Sequence, residues 1–284
     1  MVSPEWRLLD TGVLSAASNM ALEKVLLTSC ANGSVKNTLH LLEFSPCVLL
    51  GYSQSLADEV DEDFCRENNI EINRRISGGG CIYMDPGVLG WEIIAKKNTP
   101  RIPGNLNEMY RLLCGALILA LSRFGINATY RPVNDVEVNG RKISGAGGTE
   151  LEDSFIFHGT VLADFHSDIM VKALKSPFKK NIDRQISEFK IRTTCMRELL
   201  GYVPSMTEIK ANLVSAFAEI LGIEFECAGL IKEENEMLNS ELPLFGSEEW
   251  IRERRLGNNS INAYEHKNGS ALIRVSNGGA SYGK

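Results

Sequence analysis

Three successive glycines two residues after a pair of arginines, Arg74-Arg75-Ile76-Ser77-Gly78-Gly79-Gly80, form the segment of this chain best suited to chemistry. Three residues without side chains let a backbone fold closely around a ligand and turn its N–H groups inward. Guanidiniums beside such a loop suit a phosphate or a carboxylate. A second segment, Arg131-Pro132-Val133-Asn134-Asp135 followed by Arg141-Lys142-Ile143-Ser144-Gly145, places a lysine just after a tight turn. An ammonium held there can reach both an acyl and a phosphate oxygen. The familiar nucleotide loops are absent. No Gly-x-x-x-x-Gly-Lys-Ser/Thr occurs, and Gly145-Ala146-Gly147 is followed by Glu150 where a dinucleotide fingerprint needs glycine.

The elements that must position these residues can be read from spacing. Apolar residues at helical period predict a core helix over Leu14–Leu27, and the longest clear helix over Leu106–Phe124, closed by Gly125. A short helix is expected over Asp61–Asn68, with acids at its N-terminal end. Strands are expected at Thr38–Leu42 and Cys47–Leu50 around a Phe44-Ser45-Pro46 turn, on both sides of the glycine triplet, and over Gly90–Ala95. Asn139-Gly140 is a hairpin signal between Asp135–Val138 and Arg141–Ser144. Gly145–Gly148 reads as a glycine-rich bend, and Phe155–His158 and Thr160–Ala163 as two strands. Helices should follow over Ser167–Leu174 and Ser205–Leu221, then a surface helix and linker over Ile231–Gly257. Strands and helices mix without βαβ alternation, so the class is α+β. Ala271–Val275 begins one more strand near the end.

Composition narrows the function. A net charge of −6 argues against a dedicated nucleic-acid binder. No signal peptide is expected from the first residues, and the longest apolar runs are too short for a membrane span. The seven cysteines lack any Cys-x-x-Cys pair, so a zinc ribbon or disulfide scaffold is not supported and a cytoplasmic location fits. By spacing alone, His40, His158, His166 and His266 do not compose a metal site.

Together these segments resemble the lipoate–protein ligase A family, within the biotin and lipoate attachment superfamily. The likeness runs from Trp6-Arg7-Leu8-Leu9-Asp10-Thr11-Gly12 to about Leu200. Its landmarks are Leu49-Leu50-Gly51-Tyr52-Ser53-Gln54, the Arg74–Gly80 loop with Tyr83 and Asp85 after it, Asn134-Asp135 with Gly140–Gly145, and His158-Gly159-Thr160. The resemblance implies a central mixed sheet flanked by helices, like the catalytic domain of biotin ligases. It implies activation of lipoate or octanoate by Mg-ATP to an acyl-adenylate, then transfer to a lysine of a lipoyl carrier protein. Under it, Lys142 is the catalytic cation. Arg75, Ser77, Gly78, Gly79 and Gly80 hold the adenylate, with Tyr83, Ser144, Gly145, His158, Gly159 and Thr160 around the substrate. Asn134 and Asp135 face the nucleotide, Asp135 holds Mg²⁺, and Leu42 walls the acyl tail. The run Asp85–Glu92 is similar to a divergent branch associated with heterodisulfide-reductase-like sulfur oxidation, whose acceptor is a lipoate-binding protein similar to the glycine-cleavage H protein.

The same resemblance divides the chain into a catalytic domain over 1–255 and, over 256–284, a linker with the start of an incomplete accessory domain. A separate accessory chain is then an expected partner; nucleic acid and membrane are not. The rival on this fold is an octanoyltransferase working from acyl carrier protein through a cysteine thioester. That chemistry needs an activated thiolate. No cysteine lies between Cys114 and Cys195, and Cys81 alone abuts the glycine loop. A biotin ligase fits the loop less well. A non-catalytic carrier-binding protein is opposed by the presence of Lys142, Arg75 and the three glycines.

Overall fold

A computed structural model describes residues 6–175, 182–253 and 273–274. In chain order, β1 (Trp6–Leu14) leads into α1 (Ala16–Ala31), then β2 (Asn37–Phe44) and β3 (Cys47–Leu50). Short α2 (Leu56–Glu59) and α3 (Glu62–Glu67) precede β4 (Glu71–Arg74), β5 (Ile82–Met84) and β6 (Val88–Lys96). α4 (Leu106–Ser122) is followed by β7 (Thr129–Arg131), β8 (Asp135–Val138), β9 (Arg141–Leu151) and β10 (Ser154–Leu162). Then come α5 (Ser167–Ala173), α6 (Ile182–Arg192), α7 (Met196–Leu200) and α8 (Met206–Leu221). The last described elements are β11 (Phe225–Cys227), α9 (Lys232–Phe245), α10 (Glu248–Arg252) and β12 (Ile273–Arg274).

The main sheet runs β11-β1-β2-β6-β10-β9-β8-β7, with β12 pairing on β9. β1 is parallel to β2 and β11, and the other pairs are antiparallel, so the sheet is mixed as expected. A small sheet, β4-β3-β5, carries the glycine loop between its outer strands. Because side chains alternate along a strand, the two faces of the main sheet separate cleanly. Trp91 and Phe157 point to one face, where Trp91 meets Phe217 of α8 and Phe157 meets Tyr110 of α4. Their neighbours Glu92 and His158 point to the other, beneath α1. α1 also packs on β4 and α9 and is buried almost all round, including Asn19 and Glu23. A helix enclosed on every side needs its polar groups satisfied internally.

Local signals were faithful guides to many elements. Asp61 caps α3 through the Phe64 amide at 3.0 Å, and Ser205 forms a capping box with Glu208. Asn139 and Gly140 take φ of 52° and 76° in the β8–β9 turn. Three readings need correction. Gly145–Gly148 is no bend: it lies within the continuous β9. The two strands around Gly159 are one, β10. These glycines provide close approach, since a Cβ would stand 2.3 Å from Trp91 at Gly159 and 2.4 Å from the Ile156 carbonyl at Gly148. The two strands expected around Phe44-Ser45-Pro46 are present as β2 and β3, and they belong to different sheets. The expected surface helix is present as α9 and is largely exposed, but with α10, where a linker was expected, it also buries Glu234, Phe245 and Trp250; 254–257 lie outside the described residues. Among the described residues no helix is long and apolar enough to cross a membrane. The accessory-domain reading of 256–284 falls outside the described residues apart from Ile273–Arg274, which pair with Leu151 and Glu150.

Glu234 shows how α9 is tied to the core. Arg7 of β1 donates to both of its carboxylate oxygens at 2.7 and 2.8 Å, and to Thr38 at 3.0 Å. Replacing Glu234→Ala leaves a buried guanidinium without its counter-charge and is expected to cost about 3–5 kcal/mol. Urea unfolding checks this; a loss below ~1 kcal/mol would show that α9 is only loosely attached.

Candidate active site

The glycine loop is set on its sheet by backbone bonds. The Arg75 amide donates to the Leu50 carbonyl at 2.8 Å, and the Tyr52 amide to the Ser77 carbonyl at 2.9 Å. Gly79 takes φ of +97°, open to glycine alone at little cost. Its carbonyl stands 2.0 Å from where a Cβ of Gly51 would be, so the loop can settle only over a second glycine. The two arginines divide the work. Arg74 is fully buried and donates to the carbonyls of Gly51, Tyr52, Gln54, Trp250 and Ile251. It locks α10 beneath the site and presents nothing to a ligand, contrary to the expectation of two anion-facing guanidiniums. Arg75 donates to Leu49, Gly78 and Gly80 carbonyls at 2.9, 3.0 and 2.9 Å. It braces the loop and places positive charge under it.

Strand register then gathers most of the expected residues on one face. His158 of β10 stands opposite Gly147 of β9 and Glu92 of β6. Two residues on, Thr160 stands opposite Gly90, and its hydroxyl lies 3.5 Å from the Gly145 amide. Leu42 of β2 stands opposite Gly90 and leans over it, 2.9 Å from where a Cβ would be. Glycines 90, 145 and 147 thus floor a trough on this face that the side chains of Leu42, Lys142 and His158 partly fill, with Thr160 beside them. Lys142 reaches this face through a β-bulge. Glu137 pairs with Lys142 and Val136 with Ser144, so Ile143 is an extra residue. Without it, Lys142 and Gly145 would point to opposite faces. With it, the Lys142 ammonium lies over Gly145, 2.6 Å from the missing Cβ position, and 2.7 Å from the Asp135 carboxylate. Asn134 clips β8 to β9 by donating to the Ala146 carbonyl at 2.8 Å.

Three expected residues lie elsewhere. Tyr83 packs against Phe165 in a second apolar cluster with Val48, Leu50 and Cys65, where burial raises its phenol well above the ordinary range. Ser144 and Gly159 belong to the opposite face by strand alternation, Gly159 against Trp91.

Beneath the loop the fold assembles a polar group that spacing does not reveal. Thr11 and His40 Nε2 are 2.9 Å apart, and His40 Nδ1 is 2.8 Å from Glu92. Glu92 bonds to Glu23 of α1, and His158 Nε2 lies 3.3 Å from the Ser77 hydroxyl. Burial drives every member toward neutrality. Glu23 is raised well above the carboxylate range, by burial first and by Glu92 second. Glu92 is raised to about 7 by burial. His40 is lowered to about 4 by burial, and His158 to about 3 by burial and the neighbouring Arg75 charge. The sheet thus brings His40 and His158, far apart in sequence, to one cluster. The one signal in sequence was a polar residue amid apolar strands, in Leu39-His40-Leu41-Leu42 and Trp91-Glu92-Ile93-Ile94.

The thiols are as telling as the cations. Burial pushes Cys81 and Cys114 up to about 12 and Cys65 to about 11, and raises Cys30 and Cys47 as well. Cys114 sits behind Asp135, whose negative charge raises it further. Cys195 is buried, and only Cys227, at the far edge strand β11, is exposed.

Comparison with known proteins gives the chain its relatives. Residues 15–218 match the family model described as the lipoyl protein ligase A/B catalytic domain. An octanoyltransferase LipM of Kyrpidia tusciae is 28% identical over 86% of this chain and 97% of that protein. A lipoate–protein ligase A subunit 1 of Thermoplasma acidophilum is 26% identical over 82% of this chain and 90% of that protein. The solved bipartite lipoate protein ligase of the same organism superposes with a TM-score of 0.76, covering 90% of this chain and 99% of that one at 24% identity.

Gly51→Ala must push the Gly79 carbonyl aside and is expected to destabilise by about 1–3 kcal/mol while displacing the loop. Gly80→Ala meets nothing within 4 Å at an ordinary φ and should stay within about 0.5 kcal/mol of the parent. Chemical denaturation of both variants checks the pair; equal effects would mean that the loop does not rest on Gly51.

Proposed function

Because the chain belongs to the lipoyl protein ligase A/B catalytic domain family, we propose that it is an ATP-dependent lipoate–protein ligase. Lipoate or octanoate is activated as the acyl-adenylate, and the acyl group is passed to a lysine of a lipoyl carrier protein. The observation that carries this reading is the state of the thiols. Around Lys142 no cysteine is both accessible and poised as a thiolate, so the acyl group needs activation from elsewhere, and ATP provides it. The neighbourhood of Lys142 offers charge instead of a nucleophile.

In the first half-reaction a carboxylate oxygen attacks the α-phosphorus and pyrophosphate leaves. In the second, the acceptor amine attacks the acyl carbon, AMP leaves with the bonding pair, and the amine loses a proton. Lys142 serves both steps by facing the oxygens where negative charge gathers, the acyl oxygen and the α-phosphate. A positioned donor of this kind is worth roughly 3–4 kcal/mol in the transition state. Asp135 holds the ammonium over Gly145 until an anionic ligand competes for it. The glycine loop, with Arg75 beneath, closes over the adenylate, and Leu42 with the glycine floor takes the aliphatic tail. Asp135 is partly exposed, and one reachable carboxylate suits Mg²⁺, an ion that keeps its waters and arrives with nucleotide phosphates. An ion held by Asp135 would offset phosphate charge. The acceptor is an H-protein-like or lipoate-binding carrier, and a separate accessory chain assists adenylation, a reading supported by the bipartite make-up of the Thermoplasma ligase.

A second reading, octanoyl transfer from acyl carrier protein, is favoured by the names of several relatives, among them those of Kyrpidia tusciae and Moorella thermoacetica. Mass spectrometry of a lipoyl carrier separates the two. The ligase gives an ATP-dependent lipoyl mass shift from free lipoate. Modification only from preformed lipoyl-AMP means that adenylation needs the accessory chain. A shift only from octanoyl-acyl carrier protein overturns the ligase.

Two further outcomes are expected. Lys142→Ala should lower kcat by about 10²–10³ in both half-reactions, read by pyrophosphate release and by transfer from lipoyl-AMP. Native protein treated with iodoacetamide should take up one alkyl group, at Cys227, and keep its activity; inactivation tracking Cys81 would support a thioester route.

A further inference from the structure

Glu23, Glu92 and His158 come from α1, β6 and β10, and one ligand atom of each lies within 4.8 Å of the other two. Both carboxylates are almost wholly buried, whereas His158 is only partly so, which leaves a way in from the trough. Glu23 Oε2 is buried without a hydrogen-bond partner. A buried oxygen left unpaired is a standing penalty that a bound cation would relieve. An outer layer is already built: His40 orients Glu92, and Thr11 orients His40.

We propose that Glu23, Glu92 and His158 bind one divalent transition-metal ion, at a site separate from Asp135 and the nucleotide. Two carboxylate oxygens and an imidazole nitrogen suit zinc, and three protein ligands leave a fourth position open. Bonds of about 2.0–2.1 Å require ligand atoms about 3.4 Å apart, so each side chain closes inward by roughly 1 Å. Arg75 is the charge opposing the ion. Its terminal nitrogens are tied to loop carbonyls, and the two carboxylates outweigh it once the ion displaces their bound proton. The outer partners, His40 and Thr11, stay in place, and the ion pins α1 to β6 and β10. Through the His158–Ser77 contact it also steadies the glycine loop.

The test uses chelator-treated full-length protein titrated with Zn²⁺, and with Co²⁺ for its visible spectrum. One ion per chain is expected, with an X-ray absorption shell of nitrogen and oxygen only. Glu23→Gln and Glu92→Gln should each weaken binding by more than the roughly 10–100-fold typical of losing an outer partner, and His40→Ala by about that amount. Sulfur in the shell would place the ion on cysteines and overturn the proposal. So would wild-type affinity in Glu92→Gln, or no stoichiometric uptake of either ion. Should the variants fail to fold, the absorption shell of the parent protein decides alone.

Discussion

Arg75 carries its guanidinium into the interior, where the carbonyls of Leu49, Gly78 and Gly80 receive its terminal N–H groups. A charge taken out of water needs partners, and the loop that Arg75 shapes supplies them to its terminal nitrogens, while its Nε is buried without one. The bonds fix the loop curvature, and the curvature requires Gly79 at positive φ and Gly51 beneath it. The same charge acts on its neighbours. Burial first, and this charge second, keep His158 neutral, and the same charge offsets part of the cost of a carboxylate at Glu23.

The second constraint is steric. A sheet face can admit a ligand where it lacks side chains, and Gly90 on β6 with Gly145 and Gly147 on β9, on either side of β10, provide that here. The bulge at Ile143 turns Lys142 onto the same face without breaking β9, and Asp135 arrives opposite Gly145 by ordinary pairing. Cation, counter-ion and trough are therefore consequences of register. Rigid strands hold them, which suits a reaction whose protein contribution is mainly positioned charge.

The family admits both ligases and acyl-carrier-dependent transferases, so fold alone does not choose between them. The microenvironments of the thiols do bear on the choice. Burial outweighs the Arg75 charge beside Cys81, and burial and Asp135 act together on Cys114, which favours the protonated thiol at both. Nothing comparable protects Lys142, which is partly exposed beside its carboxylate.

Local chemistry was legible in the residues alone: the Asn139-Gly140 turn, the Asp61 and Ser205 caps, the loop of three glycines and the lysine after the hairpin all depend on neighbours within a few positions. The order of those segments was enough to suggest the family and the mixed sheet. Three things were decided only by tertiary structure. Glycines at 145–148 and 159 look like turn residues, yet they sit in strands because Trp91 and the Ile156 carbonyl occupy the space a side chain would need. Arg74 and Arg75 look alike in sequence and differ in role because α10 folds back over one of them. Thr11, Glu23, His40, Glu92 and His158 are scattered over five elements. They meet because strand register and an enclosed helix set long-range neighbours, and no spacing along the chain encodes that meeting.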